Sequence, residues 1–164
     1  MKLNLGCRFH RIEGFTNIDI DESIHPDIVA DATKLESFKD NSVEEIYASH
    51  LLEHIDREQR INVLTKWYKL LKLGGILWIV IPDCKVLKTA PDEIFSTKNY
   101  ACWGKTIEER RANIIIHSDG LYASKVGKMM ISVGFSYTLA KIPFSKCSYI
   151  ISKWKGQTLT KGIK

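Results

Sequence analysis

Three short stretches put a glycine or an acid where a strand should end. Leu3-Asn4-Leu5 runs into Gly6, Asn17-Ile18 into Asp19, and Ile28-Val29-Ala30 into Asp31. A glycine after a first parallel strand lets a ligand come close to the backbone. A carboxylate ending the second strand can accept both hydroxyls of a ribose. One ending the third lies near where an adenine amino group would sit. Together they mark the carboxyl-end edge of adjacent strands, where open α/β sheets bind ligands. The dinucleotide pattern G-x-G-x-x-G is absent, because Arg8 and Arg11 occupy its second and third glycine positions. Nicotinamide chemistry is therefore disfavoured.

A second group could move protons. His50, Glu53 and His54 form H-x-x-E-H, which on one helix face would be an inverted zinc-protease motif. Here it follows a probable strand, and the helix begins only after it, so the metal reading is disfavoured and no metal is expected. Asp83 follows the fifth strand, and His117 lies in the turn-like stretch Ile116-His117-Ser118-Asp119-Gly120. Histidine is the natural general base near neutral pH. Tyr100 and Trp103 could wall a substrate pocket, although packing is the commoner fate of aromatic residues.

These residues need elements to position them, and 164 residues suffice for one domain with a core. Strands are expected at 2–5, 15–20, 27–30, 44–48 and 76–81, the last apolar throughout like a central strand. Only residues 7–14 connect the first two strands, leaving room for about one helical turn. Asp56, with Gln59 as box partner, should cap a helix. Its apolar stripe would be Ile61, Leu64, Tyr68 and Leu71, with Gly74-Gly75 ending it. Residues 83–118 read as irregular. Ser118 or Asp119 should cap a helix running to Val133, and 137–142 and 148–154 read as a final strand pair. The organisation expected is one domain over 1–155 followed by a basic tail, 156–164.

Composition narrows the class. With 45% apolar and 26% charged residues the chain is ordinary globular protein. The apolar run Ile76 to Ile81 is too short to span a bilayer, and no signal peptide is evident, so a cytoplasmic location without membrane association is expected. The four cysteines form no C-x-x-C pair, and free thiols are expected. Charge is skewed: residues 1–60 carry 13 acids and 7 bases, residues 61–164 carry 6 acids and 17 bases. The first part suits a cationic ligand and the second an anionic one.

The ordered set of motifs resembles the class I S-adenosylmethionine-dependent methyltransferases. It runs through Leu3 to Cys7, Gly14 to Asp19, Asp27 to Asp31, Phe38 to His54, Leu70 to Leu77 and Met130 to Phe135. The nearest likeness is to small bacterial members of unassigned substrate. The resemblance implies a Rossmann-like, mostly parallel seven-stranded sheet with one antiparallel strand near its edge, and S-adenosylmethionine as cofactor. It implies that Gly6 and Cys7 meet the methionine part, Asp19 and Ile20 the ribose end, Asp31 and Ala32 the adenine, and Ser49 and His50 the floor near the sulfonium. Asn4 stands in for a common acid, and Arg8 for a common second glycine, where it could pair with the cofactor carboxylate. The activity implied is methylation of an oxygen on a small or carbohydrate-like, anionic acceptor, with His50, His117 or Asp83 as base. The alternatives are a non-catalytic S-adenosylmethionine-binding module acting with a protein partner, and an RNA methyltransferase. A homo-oligomer fits either.

Overall fold

A computed structural model describes residues 1–82, 84–89, 92, 105–117, 120–140 and 157–164. Strands β1 (Lys2–Leu5), β2 (Thr16–Asp19), β3 (Ile28–Val29), β4 (Val43–Ser49) and β5 (Leu71–Pro82) are mutually parallel. β6 (Tyr137–Ala140) and β7 (Gln157–Ile163) complete one seven-stranded sheet of order β3-β2-β1-β4-β5-β7-β6. β7 runs antiparallel to both of its neighbours. The helices are α1 (Arg60–Leu70), α2 (Cys84–Leu87), α3 (Ile107–His117) and α4 (Ala123–Ser132).

Register decides what each face of the sheet holds. Leu3, Ile46 and Leu77 align across β1, β4 and β5, as do Leu5, Ala48 and Ile79. These side chains join Val63, Leu64 and Trp67 of α1 and Val126 and Met130 of α4 in the main core. The other face carries Asn4, Tyr47 and Trp78 in one row, with Phe15, Val80 and Leu159 in a smaller cluster.

On that second face a loop replaces a helix between β1 and β2. Asn4 Nδ2 donates to His10 O at 2.8 Å and to Asn17 Oδ1 at 2.9 Å. Asn17 Oδ1 also accepts from Ile12 N–H at 2.8 Å, and its Nδ2 donates to Phe15 O at 3.1 Å and Asp27 Oδ2 at 2.8 Å. Arg11 closes the set by pairing with Asp27 and donating to His25 O. Two buried amides thus supply the loop with the pairing a helix would have made internally.

Several expectations shift. Helix α1 begins at Arg60, and Asp56 contributes its carbonyl to a preceding turn rather than a side-chain cap. Its buried face is Val63, Leu64, Trp67 and Leu70, while Ile61 is outward. Trp67 sets that register: its indole N–H donates to Ala32 O at 2.8 Å. Gly74-Gly75 does not end the helix. The chain is already in β5 from Leu71, and residues 72–75 bulge out against Glu44 alone, with Gly74 at φ +76°. Within 83–118, the stretch 107–117 is helical. Thr106 Oγ1 accepts from Glu109 N–H at 3.2 Å, and Glu109 Oε2 accepts from Thr106 N–H at 3.2 Å, a capping box. Helix α4 ends at Ser132 with Gly134 just beyond, as the pattern indicated, but it begins at Ala123 with Tyr122 at the cap position, so the cap is neither Ser118 nor Asp119, which lie outside the described residues.

The basic tail is the largest correction. Residues 157–163 are not a loose end but the strand between β5 and β6. Leu159 is buried, and Gly162 fits where a Cβ would sit 2.3 Å from Met130 Cε. Lys164 Nζ donates to Asn41 Oδ1 and Leu71 O, both at 2.8 Å, and lies 4.6 Å from the Tyr68 ring centre. Burial of this amine pushes its pKa down. The expected strand at 148–154 lies outside the described residues.

Candidate functional site

The strand order reverses between β1 and β4, and the crevice at such a switch point is where α/β sheets take ligands. Gly6 follows β1 there at φ +64°, in the left-handed region. A Cβ on it would lie 3.1 Å from Leu51 Cδ1. The backbone can therefore turn sharply here with no side chain in the way. Cys7 is buried, its N–H donating to Ile18 O at 3.1 Å. Burial and the nearby Asp19 charge raise its thiol pKa, which disfavours the thiolate.

Asp19 closes β2, only 8% exposed. Its Oδ2 accepts from Arg8 N–H at 2.8 Å and its Oδ1 from Asp21 N–H at 3.1 Å. One backbone donor on each oxygen fixes the carboxylate and leaves lone pairs on both oxygens. Ile20, next along, is 70% exposed, a flat apolar surface beside the acid. Arg8 itself has φ 42°, so its backbone turns to hold Asp19 while its side chain stays exposed.

Asp31 follows β3. Its Oδ1 accepts from Thr33 N–H at 2.9 Å and Thr33 Oγ1 at 2.7 Å. The Thr33 hydroxyl holds the carboxyl below its ordinary pKa of 3.8. Ala32 is buried with its carbonyl taken by Trp67. Asn4 is also buried, and the two contacts of its amide nitrogen serve the loop described above.

Ser49 ends β4, and His50 stands just past it at φ 53°, its N–H donating to Val80 O at 2.9 Å. His50 Nδ1 lies 3.0 Å from Glu53 Oε1. Glu53 belongs to a single 3-10 turn, Leu52–His54. The zinc motif does not assemble: Glu53 is buried and pairs with a half-buried His50, whereas His54 is exposed. No group of three or more potential metal ligands occurs among the described residues. His117 lies in the last turn of α3, its side chain outside what is described, and Asp83, Tyr100 and Trp103 fall outside the described residues. Sequence reasoning missed Leu51 over Gly6 and the pairing of Glu53 with His50. The three-residue spacing was the signal for the pair.

The residues present fit S-adenosylmethionine. The open glycine turn, the fixed carboxylate with spare lone pairs, the exposed Ile20 and Asp31 follow one another along the same sheet edge. Residues 13–79 match the family model of the methyltransferase domain. No curated protein matches the chain in sequence. Among solved structures, a SAM-dependent methyltransferase from Archaeoglobus fulgidus is similar over 99% of this chain and 85% of its own, at 17% identity and TM-score 0.68. A SAM-dependent methyltransferase from Thermotoga maritima gives 99%, 81%, 17% and 0.63. Haemonchus contortus phosphoethanolamine N-methyltransferase 2, in complex with S-adenosyl-L-methionine, gives 99%, 48%, 13% and 0.61. With residues 13–79 matching the methyltransferase domain, the sheet order and the geometry at the ends of β1 and β2 give this chain the fold of the class I S-adenosylmethionine-dependent methyltransferases.

Proposed function

We propose that this methyltransferase methylates an oxygen of a small or carbohydrate-like acceptor that carries negative charge, with His50 as general base. Asp19 is the observation that carries the cofactor end of this reading: a buried carboxylate anchored by two backbone N–H groups, with lone pairs left for a ribose diol. Gly6 and Cys7 bound the methionine part, Ile20 the ribose end beside Asp19, Asp31 and Ala32 the adenine, and Ser49 the floor beneath the reacting methyl. Arg8 offers its guanidinium to the cofactor carboxylate. Asn4 acts through the loop it holds.

When bound, the cofactor supplies an electrophilic methyl on a sulfonium that leaves as a neutral thioether. The chain's task is to hold the acceptor oxygen in line with that methyl and remove its proton. His50 precedes Leu51, which packs over the Gly6 turn, and its Nδ1 is engaged by Glu53. Over residues 61–164 Lys and Arg outnumber Asp and Glu 17 to 6, which favours an anionic acceptor through steering. His117 and Asp83 are the alternative bases.

The test is calorimetric titration with S-adenosylmethionine and S-adenosylhomocysteine, followed by an acceptor screen. Micromolar binding and methyl transfer to an anionic hydroxyl compound support the reading. Binding with no turnover on any acceptor overturns it in favour of a non-catalytic module. Steeply salt-dependent RNA retention overturns it in favour of an RNA substrate. His50→Ala should leave cofactor affinity intact and cut transfer by about 10²- to 10⁴-fold. Full activity there, with loss in His117→Ala or Asp83→Asn, moves the base.

A further inference from the structure

Glu53 is a buried acid with an unusual pattern of satisfaction. None of its side chain is exposed. Oε1 meets His50 Nδ1 at 3.0 Å, while Oε2 has no hydrogen-bond partner among the described residues. Burying a carboxylate is costly, and an acid kept only to brace the turn would be expected to use both oxygens or be replaced by an apolar side chain. The turn around it is already braced by other groups. Arg60, also buried, donates from Nε to Ile55 O at 2.9 Å and from Nη2 to Glu53 O at 3.4 Å. His54 N–H donates to Leu51 O at 3.0 Å. Among the described residues, the carboxylate's hydrogen-bond partner is therefore the imidazole. His50, in turn, is held in the uncommon left-handed region by its N–H bond to Val80 O.

We infer that Glu53 is a positioning residue that fixes the tautomer of His50. An ionised carboxylate accepts only, so it selects the form with hydrogen on Nδ1 and the lone pair on Nε2. This rests on the reading of His50 as the base. The acceptor O–H proton passes to Nε2 as the oxygen–methyl bond forms and the methyl–sulfur bond breaks. The imidazolium keeps its Nδ1–H on Glu53, whose negative charge offsets it, and the proton leaves to water once product departs. Glu53 is never protonated, as in the carboxylate–histidine pairs of hydrolases.

The test is ¹⁵N NMR of the imidazoles in S-adenosylhomocysteine-loaded protein, at a pH where histidines are neutral. The expected spectrum for His50, assigned by its loss in His50→Gln, shows a protonated-type shift at Nδ1 and an unprotonated-type shift at Nε2. In Glu53→Leu, which keeps volume and removes the acid, the pattern should revert to the Nε2–H form that free imidazole favours. A wild-type protein with His50 in the Nε2–H form overturns the inference, and that reading needs no variant to fold. An unchanged tautomer in folded Glu53→Leu overturns it too. The variant result leaves the base assignment standing, and that assignment falls separately if His50→Ala retains transfer.

Discussion

Removing the Asp19 carboxylate tests the site most directly. Each oxygen spends one lone pair on a backbone N–H, Arg8 at 2.8 Å and Asp21 at 3.1 Å, which leaves one acceptor direction per oxygen for a ribose hydroxyl. A hydrogen bond to a charged group is worth about 1.5–3 kcal/mol, so losing two in Asp19→Ala should cost about 3–6 kcal/mol of binding. That is a rise in Kd for S-adenosylhomocysteine of about 10²- to 10⁴-fold. Folding should suffer less. The two freed N–H groups are only part-buried and regain water, at about 1–3 kcal/mol, or a fall in Tm of about 3–10 °C. Asp19→Asn should lie between, because its amide nitrogen must face one of the two N–H donors. Asp21→Ala is the control: its carboxylate serves Ser23 and its backbone N–H remains, so affinity should hold. Calorimetry well below each variant's Tm separates binding from unfolding. A folded Asp19→Ala whose Kd stays within about threefold of wild type, about 0.6 kcal/mol, refutes the ribose assignment.

Other perturbations bear on how the site is built. Gly6→Ala forces a Cβ into φ +64° and against Leu51, so a loss of about 1–2 kcal/mol and weaker cofactor binding are expected; unchanged thermal unfolding and Kd would contradict this. Asn17→Asp puts a carboxylate where an amide now donates to Phe15 O and Asp27 Oδ2. Destabilisation by about 3 kcal/mol or more should appear in urea melts, and a near-neutral result would mean the loop is held by other groups. Asp27 sits below its ordinary pKa of 3.8 because Asn17 N–H, the Asn17 amide and Arg11 all favour its charged form. The folded value lies below the unfolded one, so its stabilising effect is complete above about pH 4 and disappears as pH falls through the folded value. Wild type should therefore lose more stability than Asp27→Asn between pH 5 and pH 3, as measured by the urea midpoint.

Strand ends were legible because their chemistry is local. Gly6, Asp19 and Asp31 each follow a short apolar run, and a parallel sheet brings such ends to one edge whatever the helices do. The short 7–14 connection was visible as well, since so few residues hold no full crossover helix. The capping box Thr106 to Glu109 was equally local and was simply overlooked. What opposed a local reading was packing. Ile61 and Val63 both belong to plausible apolar stripes of α1, and the bond from Trp67 to Ala32, 35 residues away, selects between them. Thr160-Lys161-Gly162-Ile163 has the composition of a tail, yet its backbone pairs on both sides between β5 and β6. Hydrogen bonds from the backbone are independent of side-chain type, so no pattern announced that strand. His50 and Glu53 were readable as neighbours. Only the fold could place Glu53 wholly inside and His50 at the sheet edge, because burial is a property of what covers a residue, not of the residue itself.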